Sequence, residues 1–260
     1  MPARVRRIVG PHSVHTTFTC IGSIDTQTHT AYVRSKQSAW ELSGKFEGDI
    51  VLTGDQLRNG LINPASRWPK RTLPFLIDEA AFTEEQKAHI LHAVDEYHNK
   101  TSIRLREYDP EADNDYVYIT GEKSGCWSYV GRTGGRQQLN LEPNEPGVGC
   151  FRLGTIEHEL LHTLGFYHQQ SATDRDDYVT IHWENIQPGT ENNFNKYNAS
   201  SITNFGVEYD YDSVLHYSAY SFSKNGEKTI EPKDENVEIG QRAGFSKKDI
   251  EKLSKMYEDV

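Results

Sequence analysis

Long apolar runs are missing from this chain. No stretch approaches the roughly 18 consecutive apolar residues needed to cross a bilayer, and the hydrophobic 35% is spread along all 260 residues. Cysteine is scarce as well. Cys20, Cys126 and Cys150 are too few for a disulfide scaffold, fall in no zinc-finger spacing, and allow at most one bridge within the chain. Positive charge is short too, with 28 Lys and Arg against 38 Asp and Glu for a net charge of −10. The acidic excess lies beyond residue 60, where it would repel a phosphate backbone. Neither nucleic acid nor a membrane is therefore an expected partner. The start, Met1-Pro2-Ala3-Arg4-Val5-Arg6-Arg7, has the positive charge of a signal peptide, but Ile8-Val9-Gly10-Pro11-His12 puts no apolar core behind it. Two glycosylation tripeptides, Asn99-Lys100-Thr101 and Asn198-Ala199-Ser200, fit passage through a secretory pathway.

The length suits one large domain or two small ones. The first 60 residues show little periodicity, and a turn-rich stretch from Gly54 to Pro69 places a boundary near residue 60. After it, Thr83-Glu84-Glu85-Gln86 reads as a capping box, with Ile90, Leu91, Val94 and Tyr97 on one face of the helix it starts. Ser102 to Arg106 and Asp115 to Thr120 alternate with period two, which predicts strands burying Ile103/Leu105 and Val117/Ile119. Gly134 to Leu141 reads as a turn feeding another strand, and its polar side chains suggest an exposed edge. Near the end, Ser246 can cap a helix with Asp249 at its third position and Ile250, Leu253 and Tyr257 facing inward.

The chemistry concentrates in His158-Glu159-Leu160-Leu161-His162-Thr163-Leu164-Gly165-Phe166-Tyr167-His168. On a helix His158 and His162 lie one turn apart on one face, so both imidazoles can reach a single zinc ion. Gly165 can take the left-handed conformation that ends the helix and turns the chain back, returning His168 as a third ligand. Three neutral nitrogen donors leave the metal its full charge, which acidifies a water in the fourth position, and Glu159 can act as the general base toward it. The competing reading is an ordinary amphipathic helix decorated with histidines, its core made by Leu160, Leu161 and Leu164. A closed structural zinc site is disfavoured, because Glu159 stands beside a position where such a site would want a fourth ligand.

The run from His158 through His168 and on to Asp174-Arg175-Asp176-Asp177-Tyr178-Val179 resembles the astacin family of metzincin zinc endopeptidases. So do Cys126-Trp127-Ser128-Tyr129-Val130-Gly131, Asp212-Ser213-Val214-Leu215-His216-Tyr217 and Gly240-Gln241-Arg242 before Phe245-Ser246. The resemblance runs from about residue 46 to the C-terminus. It implies an α+β metzincin-like fold, with an upper sheet-and-helix subdomain and a lower irregular one separated by an active-site cleft. It also implies one Zn²⁺ per chain, protein or peptide substrates, a secreted protein, and a pairing of Cys126 with Cys150. By position Tyr217 would be a fifth metal ligand that swings to the oxyanion during reaction, and Trp127 and Arg242 would bind substrate. Phe46-Glu47-Gly48-Asp49 resembles the latency motif of the family's pro-segments. That makes residues 1–60 an N-terminal region with pro-segment, residues 61–260 the catalytic domain, Asp49 a zinc ligand of the proenzyme, and an activating protease a partner. Taken without the resemblance, Gly48-Asp49 is also an ordinary turn former.

Several positions depart from the family pattern. Leu215 stands where methionine is usual, a substitution of similar volume costing under about 1.5 kcal/mol. Gln169 replaces the glutamate that meets the ammonium of the matured N-terminus, and Ala172 replaces a common arginine. Ser102 and the final Tyr257-Glu258-Asp259-Val260 lack the halves of a second disulfide. These changes leave open an alternative, a catalytically silent binding protein of the same fold. The run Asp174-Arg175-Asp176 reads as a structural ion-pair corner. Arg242 either presents its guanidinium to an acidic residue after the scissile bond or packs against the last helix or a surface carboxylate.

Overall fold

The computed structural model describes residues 38–53, 64–198 and 203–260. The boundary expected near residue 60, Cys20, the basic start of the chain and Ala199-Ser200 of the second glycosylation tripeptide lie outside these residues.

The strands β1 (Ile50–Val51), β2 (Thr72–Ile77), β3 (Arg104–Glu107), β4 (Tyr116–Thr120), β5 (Cys126–Tyr129) and β6 (Arg136–Leu141) form one sheet in the order β1-β5-β6-β4-β2-β3. Only the β5–β6 pairing is antiparallel. Helix α1 (Glu84–Lys100) crosses from β2 to β3, and α2 (Leu153–Leu164) follows β6. Beyond Gly165 regular structure is sparse: short 3-10 turns, the antiparallel pair β7 (Val179–Ile181) and β8 (Ile230–Pro232), and a final helix α3 (Lys247–Met256). Sheet and irregular half together make an α+β fold.

Local sequence accounts for most of these elements. Thr83 and Gln86 form the capping box of α1, which buries Ile90, Ala93, Val94 and Tyr97 at i, i+3, i+4 and i+7. Leu91, expected on that face, is 43% exposed, because one residue after Ile90 turns it about 100° away. Ile103, Leu105, Val117 and Ile119 are buried as their alternation predicts. At the end of the chain Ser246 and Asp249 form the second capping box, and Leu253, Met256 and Tyr257 are buried, with Ile250 only half-buried.

Strand β6 corrects an expectation. It lies inside the sheet between β5 and β4, and the sheet's edges are β1 and β3. Its polar side chains belong there because their amides pin the neighbouring loops. Gln137 donates to the Gly131 carbonyl at 2.9 Å, and Asn140 donates to the carbonyls of Gly125 (2.7 Å) and Glu122 (3.0 Å). Buried amides are tolerable when so satisfied.

Helix α2 is buried along nearly its whole length. Its last carbonyls, which have no partner inside the helix, are met by tertiary donors. Gly131 N–H reaches His162 O at 2.8 Å, Trp68 Nε1 reaches Thr163 O at 2.8 Å, and the Tyr257 hydroxyl reaches Leu164 O at 2.9 Å. Trp68 and Tyr257 are themselves fully buried and joined, Trp68 N–H donating to the Tyr257 oxygen at 3.3 Å. Sheet, metal-motif helix and C-terminus are thereby locked to one another.

Candidate active site

The helix α2 carries His158 and His162 on one face, and Gly165 ends it at φ +115°. The N–H of Phe166 returns to Leu161 O at 3.1 Å, which closes the turn. That φ favours glycine, and a Cβ there would also have to displace the flexible end of Met256, whose Cε would lie 2.5 Å away. The reversed chain then delivers His168 to the same point. The Nε2 atoms of His158 and His162 are 2.9 Å apart, and those of His158 and His168 3.3 Å apart.

The outer nitrogens fix the tautomers. His158 Nδ1 donates to Val214 O at 2.6 Å, His162 Nδ1 to Phe166 O at 2.7 Å, and His168 Nδ1 to Glu47 Oε2 at 2.8 Å. With the protons on Nδ1, three Nε2 lone pairs converge on one buried point, a repulsive arrangement unless a cation sits among them. Tetrahedral ligands at zinc–nitrogen distances of 2.0–2.1 Å would themselves lie about 3.3 Å apart, close to the observed separations. Asp49 completes the set, its Oδ2 lying 3.0 Å from His158 Nε2 and 3.3 Å from His168 Nε2. Donor atoms of Asp49, His158, His162 and His168 all lie within 4.8 Å of one another and all four residues are buried. The residues fit a zinc ion.

Burial alone would raise the Asp49 pKa, but positive charge on His168 and His162 holds it well below the usual carboxylate range. Burial likewise pulls His168 down, and the carboxylates of Asp49 and Glu47 outweigh it, taking the imidazole to about 9, so that without a cation a proton would take the place on Nε2. A centre this buried and anionic attracts a cation. Beside it, both oxygens of Glu159 are buried with no hydrogen-bond partner. Its pKa is pushed well above the usual value by burial and then by the charge of Asp49.

The segment around Asp49 fills the site. Strand β1 pairs in parallel with β5, Ile50 opposite Ser128. Gly48, at φ +87°, lets the backbone pass against Trp40, where a Cβ would come within 2.8 Å of the indole. Trp40 packs at a tilt against Tyr217 with ring centroids 4.8 Å apart and meets the ring of Phe222 edge-on at 5.7 Å. The Tyr217 hydroxyl donates to Glu47 O at 2.6 Å. Glu47 itself is 1% exposed. Beyond its place in Phe46-Glu47-Gly48-Asp49, Glu47 carries no signal in the sequence that assigns it a part, and neither does Glu41. A lone tryptophan, Trp40, in an otherwise polar segment is the feature of the sequence that points there.

The remaining candidates fall around this plug. Trp127 is buried, donates to Ser124 Oγ at 3.0 Å, and lies under the Lys45 ammonium, 4.7 Å from its ring. Arg242 donates through Nη1 to the carbonyls of His216 (3.1 Å) and Gln241 (2.8 Å), and its guanidinium lies 5.9 Å from the Trp40 ring. The backbone of Arg242 presses on the start of α2, where Gly154 leaves room and donates to Arg242 O at 3.2 Å. Leu215 is buried and its carbonyl accepts from Gln169 N–H. The Gln169 side-chain oxygen accepts from the Lys252 ammonium, so the chain supplies its own cation at that position. Arg175 is buried and reaches Gln170 O (3.0 Å), Phe194 O and Asp176, the structural corner its sequence suggests. Cys126 and Cys150 are bonded, tying β5 to the approach of α2.

An α+β scaffold presenting three histidines and a glutamate from one helix and its return turn is the arrangement of the metzincin class of zinc peptidases. The profile of the Astacin peptidase family matches residues 60–258, and the chain belongs to that family. It is 42% identical over 216 residues to zinc metalloproteinase nas-13 of Caenorhabditis elegans, a match covering 82% of this chain and 46% of the relative. With seminal metalloprotease 1 of Drosophila melanogaster it shares 40% identity over 222 residues, 83% of this chain and 87% of the relative. The high choriolytic enzyme 1 of medaka, Oryzias latipes, a hatching-enzyme zinc protease, superposes with TM-score 0.66 at 33% identity, covering 80% of this chain and 98% of that one. The chain spans less than half the length of nas-13 and of its relative nas-14.

Proposed function

We propose that this chain is a zinc endopeptidase held in a latent state by its own N-terminal segment. The observation that carries the reading is the convergence of Asp49 with His158, His162 and His168 beside the unpartnered carboxylate of Glu159. Zinc, when bound by the three histidines, supplies Lewis-acid polarisation of the scissile carbonyl and of the attacking water. Glu159 takes a proton from that water as its oxygen adds to the carbonyl carbon, and passes it to the departing amide nitrogen when the C–N bond breaks. Tyr217, freed from Glu47, donates its hydroxyl to the oxyanion of the tetrahedral intermediate. Trp127 and Arg242 flank the cleft that an extended substrate would occupy in place of β1.

Latency follows from Asp49 holding the position the reacting groups need. Activation is a cut by another protease between Asp49 and the start of the catalytic domain near residue 60. The Cys126–Cys150 bridge supports an oxidising, extracellular destination. Asn99 is exposed near the end of α1, where a glycan could be carried. No described helix is long and apolar enough to cross a membrane.

The test is peptidase activity of the chain before and after limited cleavage near residue 60, with chelation and zinc return. Activity that appears on cleavage, vanishes with the chelator and recovers with zinc is the expected outcome. A cut chain that retains zinc and hydrolyses nothing would establish the silent binding protein instead.

A further inference from the structure

Glu47 is placed as no ordinary turn residue would be. It is 1% exposed, and its backbone lies at φ +47°, a region that side chains other than Asn, Asp and glycine seldom enter. Every polar atom it has is engaged by the body of the protein. Oε2 accepts from His168 Nδ1 at 2.8 Å, and Oε1 accepts from Ser171 Oγ at 2.9 Å. The carbonyl accepts from the Tyr217 hydroxyl at 2.6 Å, and the N–H donates to Asn193 Oδ1 at 3.1 Å. The Asp49 carboxylate, by contrast, meets only the imidazoles at the metal position, its Oδ1 3.3 Å from His168 Nε2 and 3.6 Å from His162 Nε2.

We infer that Glu47 is a second determinant of latency, a positioning residue acting through His168 and Tyr217 while Asp49 acts at the metal position. This rests on the latency reading above and extends it. A single ligand just ahead of a strand only two residues long, β1, gives the segment one strong anchor that water or substrate can compete away. Glu47 adds contacts to the outer nitrogen of the third histidine and to the phenol that the reaction needs, so both groups stay committed for as long as the segment is seated. A carboxylate on the outer nitrogen of a ligand histidine also fixes its ring and tautomer. The unfavourable backbone conformation at Glu47 places its side chain and its carbonyl on the two targets at once, and such conformations persist only where surrounding contacts over-determine them.

The experiment uses the uncut full chain, and its main readout is independent of zinc-dependent turnover: hydrogen exchange of the amides of residues 46–51. Glu47→Gln keeps the shape but loses the charge and one acceptor, and Ser171→Ala removes one contact from the opposite side. Both should raise exchange in that segment at least about tenfold, and both should let the uncut chain hydrolyse peptide measurably above wild type. The Asp49→Ala chain serves as reference. If Glu47→Gln and Ser171→Ala both exchange and leak as wild type does, Glu47 is passive and the inference fails, whatever Asp49→Ala shows. Failure of the latency reading looks different: the uncut wild-type chain would already be as active as the cut one.

Discussion

The charge on Asp49 raises the pKa of Glu159, second only to burial itself. The residue proposed to block the metal position therefore also disfavours the charged form of the proposed base, the form that accepts a proton. Withdrawal of the segment removes both obstacles together, since it takes away a like charge and opens the site to water. Arg242, whose charge acts on Glu159 in the opposite direction, stays behind.

Glu159→Gln should therefore keep zinc and lose turnover. The metal ligands are untouched and the general base is gone, so the cut enzyme is expected to fall at least about a hundredfold in kcat. Metal analysis alongside kinetics checks this, and unchanged turnover would sink the mechanism.

Replacing Tyr217 by Phe deletes the hydroxyl alone. A donor aimed at developing charge is worth about 10²–10³ in kcat, so a fall in that range with zinc content and KM little changed is expected. A variant whose KM rises while kcat holds would assign Tyr217 to ground-state binding.

The bridge between Cys126 and Cys150 closes a loop with a sequence separation of 24. Chain entropy puts its contribution at about 3 kcal/mol. The double variant Cys126→Ala, Cys150→Ala should unfold at correspondingly lower denaturant, and a shift worth under about 1 kcal/mol would count against this role.

A pH dependence is expected from Glu41. This carboxyl is 9% exposed beside Phe222, Ser221 and Arg242, and burial raises its pKa from 4.5 to about 7 despite hydrogen bonds from backbone N–H groups. Seating the segment then takes up a proton, so the stabilisation is full below pH 4.5 and is lost as pH rises through about 7. The leak of the uncut chain, relative to the cut chain, should grow from about pH 5 to about pH 8, and Glu41→Gln should flatten that trend. Identical slopes for the two chains would remove Glu41 from the account.

Substrate choice is expected to follow Arg242. With Trp40 gone, the guanidinium side now covered by that indole would be open to pair bidentately with an acidic side chain after the scissile bond. Cleavage of a peptide library should show Asp and Glu enriched on the primed side, and Arg242→Ala should abolish the enrichment. No acidic preference, or a profile unmoved by the variant, would leave Arg242 a packing residue held by the carbonyls of His216 and Gln241.

Periodicity and local chemistry were enough for much of this protein. Capping boxes at Thr83 and Ser246, alternation at Ile103/Leu105 and Val117/Ile119, and the spacing of His158, His162, Gly165 and His168 all act within a few residues, and a linear reading captures such effects. The zinc ligands were legible because a helix turn and a glycine reversal bring them together without help from the rest of the fold. What lay beyond the sequence were relationships between distant segments. Polar β6 sits inside the sheet because its amides meet loops that only folding brings near. Trp40 on Tyr217, Lys252 on Gln169, and Glu47 between His168 and Ser171 join residues far apart in the chain. No propensity encodes such contacts: burial and hydrogen bonding between remote groups fix them, and those exist only once the tertiary structure has formed.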